Sequence, residues 1–79
     1  MRENPKAHEI WRHFKNNDYE IITVAEHTET GEKFVIYKPV NNPERHYARP
    51  LRMFMSETDM RKYPKAVQRY RFEKNNLQE

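Results

Sequence analysis

Two runs and the turn between them decide the fold: Tyr19-Glu20-Ile21-Ile22-Thr23-Val24-Ala25-Glu26-His27, then Thr28-Glu29-Thr30-Gly31-Glu32, then Lys33-Phe34-Val35-Ile36-Tyr37-Lys38. β-Branched and aromatic residues cluster in both runs, and both alternating faces carry apolar groups, as in strands packed on a pleated surface. Gly31 is the only glycine in the chain. It sits in a turn-forming cluster between the two runs, so they are predicted to pair as an antiparallel hairpin across it. Pro39 lacks an amide hydrogen and Asn41-Asn42-Pro43 is turn chemistry, which ends the second strand near Val40.

Upstream of the hairpin, Asn16-Asn17-Asp18 is another turn, and Trp11-Arg12-His13-Phe14-Lys15 reads as a short aromatic strand feeding it. Helix competes for this region, because Asn4-Pro5 suits a helix start and Ala7, Ile10, Trp11 and Phe14 share one helical face. The reading adopted is a brief helical or irregular lead-in to residue 10, then strand. Downstream, a short strand is expected over Arg45 to Ala48. Pro50 then opens a helical turn whose apolar residues are Leu51, Phe54 and Met55. Ser56-Glu57-Thr58-Asp59 has N-cap spacing for a further turn through Tyr63, which Pro64 stops. Alternation of Val67, Arg69 and Arg71 with Gln68, Tyr70 and Phe72 predicts a last strand over about 67–73, and residues 75–79 are expected to fray. The fold class is mainly β: one domain over 1–79, a small SH3-like barrel of about five short strands with one short helical turn.

Composition fits a thin core. Of 79 residues, 35% are hydrophobic and 34% charged, so oligomerisation, as a homodimer or higher homo-oligomer, is an expected source of added stability. There is no Cys, which excludes disulfides, thiolate metal sites and a cysteine nucleophile. Apolar runs are far shorter than the roughly 20 residues of a membrane span, so no span or signal segment is expected and a cytoplasmic location is the simplest reading. The net charge of +3 is mild but uneven. Residues 1–44 hold 6 basic and 8 acidic side chains, whereas 45–74 hold 9 and 3. The second half could therefore present a positive face to a phosphate-bearing ligand.

Trp11-Arg12-His13-Phe14-Lys15, Tyr19, Ala25-Glu26-His27-Thr28-Glu29-Thr30-Gly31-Glu32, Val35-Ile36-Tyr37 and Arg49-Pro50-Leu51-Arg52-Met53-Phe54 together resemble a family of small bacterial and phage domains of unknown function. That family is recognised by a Tyr-x-His-Phe-Lys-Gly start, a His-x-Glu-Thr-x-Glu turn and an Arg-Pro-x-x-Met-Phe end. The resemblance covers about residues 11–57. Asn16 stands where the family usually has Gly, and Lys38-Pro39-Val40-Asn41-Asn42 replaces an Ala-Leu-Tyr-Gly-like stretch. The resemblance implies a compact β domain with polar residues at the matching positions His13, Lys15, His27, Glu29, Glu32, Tyr37 and Arg49, and it supplies no activity.

Catalytic chemistry finds little support. The four His match no metal motif, and His27-Thr28-Glu29 lacks the later Cys pair that a zinc deaminase requires. Ser56, the only serine, suits a cap, and one Gly cannot build a phosphate loop. The expectation is therefore no enzyme, no cofactor and no metal.

Binding chemistry is better represented. Arg49 precedes Pro50, which biases it to extended backbone and fixes where its guanidinium projects. Tyr47 and Arg52 stand beside it, and His13 and Lys15 offer a similar mixture on the opening strand. The candidate ligand-binding residues are His13, Lys15, His27, Tyr37, Tyr47, Arg49 and Arg52, with His27 also suited to closing its strand by bonding the turn. Trp11, Phe14, Tyr37 and Phe54 also read as core. The leading expectation is a non-enzymatic module for an anionic, nucleotide-type ligand, in one version a phage anti-defence sponge that sequesters a nucleotide second messenger. Two alternatives stand beside it. One is a protein-interaction adaptor built on strand edges and Met53, Met55 and Met60. The other is nucleic-acid binding through the basic, aromatic run Arg61 to Phe72.

Overall fold

In a computed structural model, residues 2–75 are described, and the expected fraying of 76–79 lies outside them. Strand β1 spans Ile10–His13, β2 Asp18–Glu26, β3 Lys33–Pro39, β4 Tyr47–Pro50 and β5 Phe72–Lys74, and one helical turn, α1 (Leu51–Phe54), joins β4 to the return path. They form one antiparallel sheet in the order β4-β3-β2-β1-β5. Although β4 and β5 stand at opposite ends of that order, the Arg49 guanidinium of β4 lies 5.4 Å from the Phe72 ring of β5. The sheet is thus curled into a small, partly open barrel of the SH3-like kind. A register shift between Ile21 and Thr23 adds local twist to β2, the middle strand of the five.

The hairpin forms as its sequence dictates. Gly31 takes φ 78°, and its amide donates to the His27 carbonyl at 2.8 Å. His27 Nδ1 accepts from the amides of Glu29 and Thr30, so the ring builds the turn. Asn16, the residue in the family's glycine position, has φ 72°. Asn tolerates the left-handed region, which explains how the exchange preserves the turn.

The lead-in is irregular. His8 donates its amide to the Ile21 carbonyl, and Ile21 donates to the Glu9 carbonyl, so backbone groups that a helix needs are already spent on β2. Farther out, the Arg2 guanidinium donates to the carbonyls of Phe72 and Met55 and rests 3.7 Å from the Tyr70 ring centroid.

Three expectations are corrected. The short strand after the loop is Tyr47–Pro50, not Arg45 to Ala48, because it pairs with β3 and its partners are Tyr37 to Phe34. The last strand is not 67–73 but Phe72–Lys74, with one isolated bridge between Glu57 and Tyr70. Val67 is 98% exposed. Residues 56–71 fold back on themselves: Thr58 donates its amide to Arg69, Arg71 donates to Ser56, and the buried Thr58 hydroxyl donates to the Gln68 carbonyl. Finally, Ser56 caps no helix start. Its hydroxyl donates to the Met53 carbonyl at the end of α1, while Asp59 Oδ1 accepts from the amides of Arg61 and Lys62.

The core is Trp11, Ile21, Val35, Tyr37, Phe54 and Phe72. α1 exists to deliver Phe54, which is fully buried and stacked on Phe72 at 4.0 Å and 8°. Pro50 is not the first helical residue of α1 but its N-cap and the end of β4, with φ −53° and ψ 136°. Trp11 meets Phe54 edge-on at 5.5 Å, and its indole donates to Glu9. Phe14, expected in the core, is only half-buried and packs on Tyr63 at 4.8 Å.

Candidate functional site

Alternation along the strands sends a graded set of side chains to the concave face. Trp11 and His13 of β1 share it, as do Val35 and Tyr37 of β3, and the register sets Tyr47 opposite Tyr37 and Arg49 opposite Val35. One end of this face is the packed core. The other opens as a cleft of about 730 Å³ at the barrel mouth, floored by Tyr19, Tyr37 and Phe72. That volume lies in the range of ordinary small-ligand sites.

Five sequence-derived candidates line this cleft: His13, Lys15, Tyr37, Tyr47 and Arg49. The other two do not. His27 and Arg52 belong to the far end of the hairpin, where His27 holds the turn and Arg52 Nε stands 3.6 Å from Glu32. The return path adds residues that local spacing did not bring to the site: Lys62 and Tyr63 from the turn after Asp59, and Arg71 just before β5. All three fall in the basic, aromatic run Arg61 to Phe72, which the sequence offers as a nucleic-acid surface and not as part of this site. Within the basic run that suggested nucleic acid, Arg69 points elsewhere and pairs with Glu57 at 3.2 Å.

Each cation is held in place by neutral partners. Arg49 Nε donates to the Tyr37 hydroxyl at 3.1 Å, and its guanidinium lies against Phe72. Arg71 Nε donates to Ser56 Oγ at 3.3 Å. Lys15 Nζ stands 5.2 Å from the Tyr63 ring centroid, and Lys62 flanks the same ring at 5.7 Å. No ion pair among the described residues involves Lys15, Arg49, Lys62 or Arg71, and Asp59 is the one acid on the lining.

His13 records the resulting field. Burial, then the charges of Arg49, Arg71 and Lys15, push its pKa down to about 4. At neutral pH the ring is uncharged, and Nδ1 accepts the Lys15 amide at 3.1 Å, which leaves the proton on Nε2. The Tyr19 hydroxyl is pushed up, first by burial and then by Tyr37 and Tyr47, so it stays protonated as a donor. The cleft therefore presents cations, neutral donors and ring faces, a combination suited to an anionic, aromatic ligand. Among the described residues, no cluster of three His, Asp or Glu side chains could hold a metal ion, and no helix is long and apolar enough to cross a membrane.

No curated protein and no solved structure matches the chain. A family model described as a protein of unknown function (DUF1653) matches residues 9–74. The match runs from β1 through β5, past the 11–57 stretch that carried the resemblance, and takes in the return path that supplies Lys62 and Arg71. The chain belongs to the DUF1653 family.

Proposed function

We propose that the chain is a non-enzymatic binding module that takes an anionic, nucleotide-type ligand into the mouth of its barrel. The observation that carries this reading is the gathering of Lys15, Arg49, Lys62 and Arg71, none in an ion pair, around an aromatic-floored cleft. Holding unpaired like charges together is unfavourable in the free protein and is relieved by an anion. Arg49 and Arg71 meet phosphate oxygens in this reading, the neutral His13 donates from Nε2, and the ligand's ring lies against Tyr. One use of such a module is stoichiometric sequestration of a nucleotide messenger, as in a phage sponge acting against host defence.

Native mass spectrometry with a cell-extract nucleotide fraction, followed by calorimetry with the ligand found, tests it. A discrete added mass at fixed stoichiometry, without turnover, is expected. Arg49→Ala should weaken binding about tenfold or more, the worth of a charge-assisted contact, while Arg52→Ala at the far end changes nothing. Absence of any nucleotide adduct at micromolar concentration, or equal losses in the two variants, would sink the reading. Nucleic acid as the true partner would show instead as affinity falling steeply with salt.

A further inference from the structure

A second cleft, of about 470 Å³, adjoins the first and shares Asn17, Tyr19 and Tyr47 with it. Its chemistry is different. Where the first compartment gathers cations, this one is lined by the amides of Asn16, Asn41 and Asn42 over Pro39 and Val40. Its acid, Asp18, is already engaged by Arg12 at 2.9 Å, so Arg45 is the one charge left on the lining without an ion pair. The loop that carries the amides is fixed by its own backbone: Val40 donates to the Asp18 carbonyl, Asn42 to Pro39 and Arg45 to Asn42. Among the described residues, no hydrogen bond occupies the side chains of Asn16, Asn41 or Asn42. Tyr47, 36% exposed, stands between the compartments with its ring 6.3 Å from Tyr19 and 5.7 Å from Tyr37.

Amide groups with unused donors and acceptors, beside the exposed Tyr47 ring and the side chains of Pro39 and Val40, match a neutral heterocycle with hydrogen-bonding edges. Arg45 is the one cation on this lining, against four at the first cleft, so the phosphate is better served there. We propose that this second cleft receives the nucleoside part of the ligand whose phosphate occupies the first, the heterocycle against Tyr47 and its polar edge toward Asn41 and Asn42. This rests on the nucleotide-type reading of the first cleft and adds to it the place of the nucleoside and the residues, Tyr47, Asn41 and Asn42, that make it bind better than inorganic phosphate or a simple polyanion.

Calorimetry with inorganic phosphate and with the 5′-monophosphates of adenosine, guanosine, cytidine and uridine distinguishes the two levels. At least one nucleoside monophosphate should bind about tenfold or more tighter than inorganic phosphate, the worth of one stacked ring. The double variant Asn41→Ala/Asn42→Ala, whose residues are exposed, should fold as the parent does and remove most of that advantage while phosphate affinity holds within about twofold. Tyr47→Leu should act in the same direction and Arg49→Ala should weaken every probe. Phosphate binding with no nucleoside advantage, or an equal loss of phosphate and nucleotide in the double variant, overturns this proposal and leaves the anion site standing. Failure of all five probes to bind overturns both.

Discussion

The two ends of the β2–β3 hairpin carry the same residue types and put them to different uses. At the turn, His27 accepts two backbone amides, Arg52 faces Glu32, and Lys33 faces Glu26 at 3.6 Å. At the mouth, His13 is held neutral and the cations bond to a hydroxyl or lie by rings. A His or Arg is thus uninformative by type alone. What marks the mouth is that its four cations, with one acid among them, form no ion pair among the described residues, whereas the turn is internally satisfied and is best understood as scaffold.

That contrast can be broken most severely where mouth and core share a residue. Phe72→Ala removes a buried ring that floors the cleft and stacks on Phe54, and should cost about 3–5 kcal/mol in urea unfolding, collapsing the mouth as well. The pH dependence comes next. Folded His13 takes its proton only near pH 4 and the unfolded ring near 6.5, so the unfolded chain binds more protons between these values. Stability should fall as pH drops through 6.5 toward 4 and this contribution should level off below that. His13→Asn, whose carbonyl can accept the Lys15 amide, should flatten that part of the melting profile; an unchanged slope would show that burial and the neighbouring cations do not hold the pKa of this ring down. At the turn, Gly31→Ala should cost about 1–2 kcal/mol from backbone conformation alone, since the added methyl meets nothing closer than Glu26 at 3.9 Å. Smallest is the pair of charge deletions. Arg52→Ala should change stability by less than about 0.5 kcal/mol, and Arg71→Met should leave it unchanged or raise it slightly, because it removes repulsion at the mouth. A clear loss in Arg71→Met would mean its charge is structurally engaged.

The hairpin was legible because its signals are local: β-branched residues within each strand and Gly31 at the turn. The same holds for Pro50 before α1 and Phe54 within it. The last strand was misread because Gln68 and Tyr70 alternate with cations as a strand would, while their actual partners are distant: Gln68 donates to the Arg12 carbonyl and accepts from Thr58. Arg49 is legible because Pro50 biases it to extended backbone, and Tyr47 because it stands beside it, although a strand over Arg45 to Ala48 stops short of Arg49. Lys62 and Arg71 are not legible as part of the mouth, since they arrive by a return path that no periodicity describes. His27 is one of the family pattern's polar positions, which mix those that build the turn with those that line the cleft, and Arg52 is a candidate only as a sequence neighbour of Arg49.

The β1–β5 pairing joins Trp11 to Lys74, the longest reach in the sheet, whereas β2, β3 and β4 are linked by short connections. Bringing distant segments together costs chain entropy before any contact repays it, so the central meander can assemble early and the β1–β5 seam closes late. Arg49 and Arg71 lie on either side of the mouth that this closure completes. The cleft should therefore form with the last seam to close, and a ligand bridging those two arginines as proposed should act as a latch: it would slow the opening of the seam and leave the meander's own lifetime untouched.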